Sequence, residues 1–153
     1  MLKEASKILL KQLSSIQQIK YVDMYYSQDE SKVNIIKFPA LLLNVVNAEY
    51  EAQSKSLDKK TTNFGLLLLV KEICSNKEKE FKTLDLLDII YFYVKSLEDF
   101  KMKGFSCIER SSNLTVYFIE VVHETLLDSK QIFFPFRQES VAPRLGLKQN
   151  GKT

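Results

Sequence analysis

Two long apolar runs, one from Phe38 to Glu51 and one from Phe64 towards Cys74, dominate the pattern of hydrophobic and polar positions. In the first, Leu42 and Val46 point to one side and Leu41, Leu43 and Val45 to the other; further on, Glu49 and Glu51 alternate with Ala48 and Tyr50. In the second, Phe64, Leu66, Leu68 and Val70 line one side and Leu67 and Leu69 the other. The pattern predicts two long strands of a sheet that is apolar on both faces and therefore needs cover on both. Between them Gln53 to Asn63 is polar and turn-prone, at about ten residues longer than a tight hairpin needs. This predicts a loop that projects from the body and carries Lys55, Asp58, Lys59 and Lys60.

The flanking stretches supply the other elements. Leu2, Ala5, Leu9, Leu13 and Ile16 share one helical face, with Lys3, Lys7 and Lys11 largely elsewhere, which predicts an opening amphipathic helix. Ile19 to Tyr26, rich in Tyr and Val, predicts a short strand, and Ser27 to Lys32 a polar turn region before Phe38-Pro39. After Cys74, Leu84, Leu87, Ile90, Tyr91, Val94 and Leu97 form a stripe expected to cover the sheet; Ser75 or Thr83 is the candidate cap. Phe105 to Arg110 predicts a strand, Ser111 to Leu114 a turn and Thr115 to Leu126 a last strand.

The predicted order is α-β-β-β-α-β-β with an irregular C-terminal tail. Parallel doubly wound folds alternate strands and helices throughout, and this order does not. The expected fold class is α+β: a mostly antiparallel sheet with a long projecting hairpin and two covering helices. The expected organisation is a domain over residues 1–128 and a C-terminal extension over residues 129–153 that serves as an interaction arm; the alternative is that this stretch adds a final edge strand to the same domain and ends in a frayed terminus.

Composition narrows this picture. A chain of 153 residues is long enough to bury a core without metals or disulfides. Cys74 and Cys107 lie in apolar surroundings without metal-ligand spacing and read as buried, reduced thiols. Lysines interrupt the apolar pattern of the N-terminus and no apolar run approaches a membrane span, so a soluble chain folding inside the cell is expected. Net charge is +3, but from Lys130 onward Lys130, Arg137, Arg144, Lys148 and Lys152 stand against Glu139 alone, a local +4. The same tail holds Phe133, Phe134 and Phe136 around Pro135, an apolar group that calls for cover from its own chain or a partner.

Candidate chemistry is sparse. The four glycines, Gly65, Gly104, Gly146 and Gly151, form neither a P-loop nor a dinucleotide fingerprint, and one histidine, His123, excludes sites that need two imidazoles. Asp85 and Asp88 lie close on one helical face, and with Glu109, Glu120 and Glu124 they offer the makings of a metal-dependent nuclease. Read structurally, the same carboxylates are the wet sides of a helix and a strand. Tyr21, Tyr25, Tyr26 and Tyr91-Phe92-Tyr93 lack a basic-aromatic recognition motif. A free-standing nucleic-acid binder would depend on Arg137, Arg144 and Lys148. No catalytic residue, metal site or cofactor is assigned.

The opening helix, the Phe38-Pro39 step into a long strand, the extended loop, Leu84-Asp85-Leu86-Leu87-Asp88-Ile89-Ile90 through Leu97, Gly104-Phe105 to Arg110 and the closing strand Thr115 to Glu124 together resemble the tail terminator or tail-completion proteins of tailed bacteriophages. The resemblance runs from Leu2 to Asp128 and lies in hydrophobic pattern. It implies a non-enzymatic virion protein that forms a ring, commonly hexameric, at the head-proximal end of the tail tube, ending tube growth and joining tail to neck. It further implies assembly in the host cytoplasm, homo-oligomeric contacts, tail-tube and neck or connector proteins as partners, DNA only in passage through the lumen, and no membrane. Lys55, Asp58, Lys59 and Lys60 would then face the tube, lumen or a ring neighbour; the tail beyond Asp128 departs from the family pattern, and it is its own apolar and basic composition that predicts C-terminal partner contacts through Phe133, Phe134, Phe136, Arg137 and Arg144. Another head-tail connector or neck-ring protein is the alternative within the same class.

Overall fold

A computed structural model of the chain describes residues 2–25, 37–71, 77–111 and 114–128. Helix α1, Leu2–Ser14, buries Ala5, Leu9 and Leu13, and the turn beyond it buries Ile16. Their spacing is that of one helical face. Strand β1, Tyr21–Met24, follows, and then β2, Ala40–Ala52, and β3, Leu57–Val70. Helix α2, Lys77–Lys95, leads to β4, Phe100–Arg110, and β5, Thr115–Asp128.

The five strands form one mixed sheet in the order β1-β2-β3-β5-β4. This corrects the expected α+β fold with its mostly antiparallel α-β-β-β-α-β-β sheet at two points. First, β1 runs parallel to β2, with Tyr21 opposite Ala40 and Met24 opposite Leu43. Parallel neighbours need a crossover of about a dozen residues, and the stretch from Tyr25 to Pro39 provides it; Lys20 N–H donates to Pro39 O at 2.8 Å and Tyr25 N–H to Leu43 O at 2.8 Å. Second, β5 lies between β3 and β4. The β4–β5 hairpin enters the sheet by its second strand, which leaves β4 outermost.

The projecting loop is also corrected. β2 continues to Ala52 and β3 begins at Leu57, so the connection is a short turn over 53–56, closed by Gln53 N–H to Leu57 O at 2.8 Å and Ser54 N–H to Leu57 O at 3.0 Å. Alternate positions 60, 62, 64, 66, 68 and 70 of β3 are buried. Lys60 and Thr62 occupy inward positions that the strand's period assigns to apolar residues, which made this end of β3 read as a polar loop.

Both helices pack on one face of the sheet. Leu9, Leu13 and Ile16 from α1 and its turn, and Leu87, Ile90 and Val94 from α2, join Leu41, Leu43, Phe64, Leu66, Leu68, Tyr117, Ile119 and Val121 in the main core. Gln12 ties the helices together, donating through Nε2 to Tyr93 O at 3.0 Å and to Ser96 Oγ at 2.7 Å. On the opposite face Ala40, Leu42, Leu69 and Val116 form a second buried cluster. The described residues fall into two compact units: the larger comprises those up to Ala48 with Thr61–Glu124, and the smaller Glu49–Lys60 with those from Thr125 on.

β4 starts at Phe100 rather than Phe105. Asp99, at a φ of 69°, makes the turn, and Phe100 pairs with His123. Cys107 on this strand is exposed, not buried as expected; Cys74 and Tyr26 lie outside the described residues.

Candidate interaction surface

Helix α2 carries large apolar side chains on two sides, with charged residues between and among them. Its inward side buries Thr83, Leu86, Leu87, Ile90 and Val94. Its outward side carries Phe81, Leu84, Tyr91 and Phe92, which are 61%, 41%, 38% and 63% exposed. At 3.6 residues per turn these four, with Asp88 and Lys95, fall within about a third of the helix circumference. Leu84 and Tyr91, expected to cover the sheet, therefore face outward; Thr83 and Leu86 hold the inward positions instead. The Tyr91 and Phe92 rings meet edge to face at 5.5 Å, and Lys95 Nζ lies 5.8 Å from the Tyr91 ring centre. Asp85 and Asp88 are exposed within or beside this aromatic stripe, and neither is ion-paired among the described residues.

A pocket of about 390 Å³ opens on the flank of the same helix. Pro39, Val70, Leu86 and Ile89 give it apolar walls, and Lys71, Lys82 and Asp85 give it charged lining. An apolar cavity with a few polar groups at its edge suits an aromatic or aliphatic side chain. Asp85 borders both the pocket and the outer stripe.

The second exposed surface is the outer half of β4. From Phe105 to Arg110 every residue is exposed, with Phe105 at 47% and Ile108 at 57%. The Phe105 ring stands edge-on to Tyr117 at 6.0 Å. Arg110 closes the strand: Nη2 donates to the Tyr117 hydroxyl at 3.5 Å and lies 3.5 Å from Glu80 Oε1 at the start of α2. The hydrogen bond to Tyr117 is the first cause, ahead of its electrostatic interactions, of a guanidinium pKa raised above its ordinary value.

The residues singled out from the sequence do not form one site. Lys55 is exposed in the 53–56 turn, and Asp58 is exposed on β3. Lys59 is half-buried, and Lys60 is buried, its Nζ 5.4 Å from the centre of the Tyr50 ring. Phe133, Phe134, Phe136, Arg137 and Arg144 lie outside the described residues. The carboxylates of the nuclease alternative are divided by the sheet. Glu109 is paired with Val116 and, with Glu120 and Glu124, belongs to the face turned away from the helices, whereas Asp85 and Asp88 ride on α2. Among the described residues no three His, Cys, Asp or Glu side chains gather as a metal-binding group. His123 packs its ring 4.4 Å from that of Phe100. Sequence reasoning missed the outward stripe of α2 although its signal was present: Phe81, Leu84, Tyr91 and Phe92 repeat at helical spacing beside the inward set. No protein-family model matches the chain, and no curated protein matches it.

Proposed function

We propose that this chain is a structural subunit that assembles with copies of itself and, following the resemblance of its hydrophobic pattern, that the assembly is the ring that ends a phage tail tube and joins it to the neck. The observation that carries the first part is the outer half of β4. Edge strands are ordinarily short, charged or covered. Here Lys101, Lys103 and a register shift between Met102 and Gly104 guard the first half of the strand, and a second shift between Cys107 and Glu109 breaks the ladder near its end. Between the two shifts Phe105, Ser106 and Cys107, with Ile108 at the second shift, present an exposed edge whose outer side pairs with no described strand.

The geometry favours a head-to-tail contact. The sheet ends in two unlike edges, the four residues of β1 and the eleven of β4. An edge that meets its own copy gives a twofold dimer, whereas unlike surfaces that meet in succession close a ring when the rotation allows. The finer assignment to a tail terminator rests on the resemblance alone.

Light scattering for molar mass, with negative-stain imaging of the same peak, tests the assembly. The expected result is a closed ring with a central hole; a monomer across the accessible concentration range would overturn it. Gold-labelled antibody on particles tests the finer role, with label expected at the junction of head and tail and absence from particles counting against it.

A further inference from the structure

We propose that the outer face of α2 is the dock for residues 132–139 of a second copy: aromatic side chains from Phe133, Phe134 and Phe136 lie on the Phe81–Phe92 stripe and in the adjoining pocket, and Arg137 meets Asp85 and Asp88. The inference rests on the self-assembly reading and names the surfaces that meet. Each copy then carries one donor segment and one unlike acceptor face, the arrangement that propagates head to tail and closes rings.

Three observations converge on this occupant. The first is the helix itself: beside its buried side it exposes Phe81, Leu84, Tyr91 and Phe92, large side chains at helical spacing of the kind through which a helix meets a partner. The second is the pocket, with about 390 Å³ of space between Pro39, Val70, Leu86 and Ile89, enough to take an aromatic ring as an anchor. The third is charge. Within residues 132–139 the charged residues are Arg137 and Glu139; on the acceptor face Asp85 and Asp88 stand without an ion pair among the described residues, and Lys71 and Lys82 line the adjoining pocket. A guanidinium two-pronged on a carboxylate is the strongest match available to either side. Glu139, two residues beyond Arg137, finds the opposite charge in Lys82 on the pocket rim.

The length of chain suffices. Phe133 to Arg137 begins five residues past Asp128, so a fully extended chain would set these side chains up to roughly 15–30 Å from the end of β5.

The test uses the full-length chain with benzoylphenylalanine in place of Phe92, assembled from a mixture of ordinary and ¹⁵N-labelled copies and irradiated. The expected product joins position 92 to the peptide containing Phe133–Arg137, in pairs of mixed isotope. Links confined to one chain, links to any other segment, or none at all would overturn the dock. A charge exchange provides a reading independent of the label. Asp88→Arg is expected to lower the yield of that link about tenfold, the factor set by 1.4 kcal/mol, and Arg137→Asp in the same chain to restore it; no restoration counts against the pairing. Light scattering on the same samples separates the two readings. Particles of unchanged mass without the link overturn the dock and leave assembly standing, whereas monomers overturn both.

Discussion

The ring of Phe118 fills the space that a side chain on Gly65 would need. A Cβ built there meets Phe118 Cε1, lies 2.8 Å from Phe118 Cζ and stands 3.3 Å from Val46 Cγ2. Glycine inside a strand ordinarily weakens it and marks a close approach; here the approach is that of an aromatic side chain lying across the middle of β3. Gly65→Ala is expected to destabilise the fold by about 1–3 kcal/mol, as overpacking does, read as a lower urea midpoint at unchanged slope. Phe118→Leu in the Gly65→Ala background is expected to recover part of that loss; if the double variant is less stable than Gly65→Ala alone, the ring is not the source of the conflict.

The two sides of α2 are expected to respond in opposite ways. Leu87 and Ile90 are 1% and 0% exposed, and truncating either to alanine removes packed methyl groups and leaves a cavity, at a cost of about 2–5 kcal/mol. Phe92→Ser and Leu84→Ser, on the outer side, are expected to stay within about 0.5 kcal/mol of the parent in the isolated subunit. Urea titrations of the four variants settle the orientation of the helix: a large loss from the outer pair with tolerance of the inner pair would reverse it.

That orientation is one place where the sequence was legible only in part. The inward stripe of α1 could be read off Ala5, Leu9, Leu13 and Ile16, because lysines occupy much of the remaining surface and leave one apolar face. On α2 two apolar stripes compete, and periodicity alone does not rank Leu84 and Tyr91 against Thr83 and Leu86; only packing against the sheet does. The parallel pairing of β1 was hidden for another reason. Strand periodicity fixes which side chains share a face but not the direction of the neighbouring strand. The turn at 53–56 was obscured by Lys60 and Thr62 in inward positions. The candidate site was the least legible part, since exposure of Phe105 and Ile108 follows from the place of β4 at the sheet edge, a property of topology.

Lys60 tests the corrected reading of β3. Its side chain is 7% exposed, and its ammonium lies over the Tyr50 ring, so the aliphatic stem packs while the charge meets an aromatic face. Lys60→Met keeps the stem and is expected to change stability by less than about 1 kcal/mol. Lys60→Asp places a short charge in the same buried position without a partner and is expected to cost about 3 kcal/mol or more. Thermal melts compare the pair with Lys55→Ala, expected to be silent at its exposed turn position. Equal tolerance of Met and Asp at position 60 would return this residue to a solvated loop.

The strand edge gives the sharpest separation of fold from assembly. Ile108 is 57% exposed, and Phe105 shares its half of β4. A charge at position 108 removes no described packing, so Ile108→Lys is expected to leave the melting temperature of the subunit within about 2 °C of the parent, the shift of roughly 0.5 kcal/mol in a domain of this size. At the contact it has a different effect, because a lysine on an outer strand opposes strand addition by keeping its ammonium in water. The expected result in light scattering is therefore loss of the assembled peak and retention of a folded monomer, with Ile108→Val, which keeps the edge apolar, assembling as the parent does. An Ile108→Lys protein that assembles normally would remove β4 from the interface. One that loses both assembly and its cooperative melt would show that position 108 supports the fold itself, and the contact would then have to lie elsewhere on the surface.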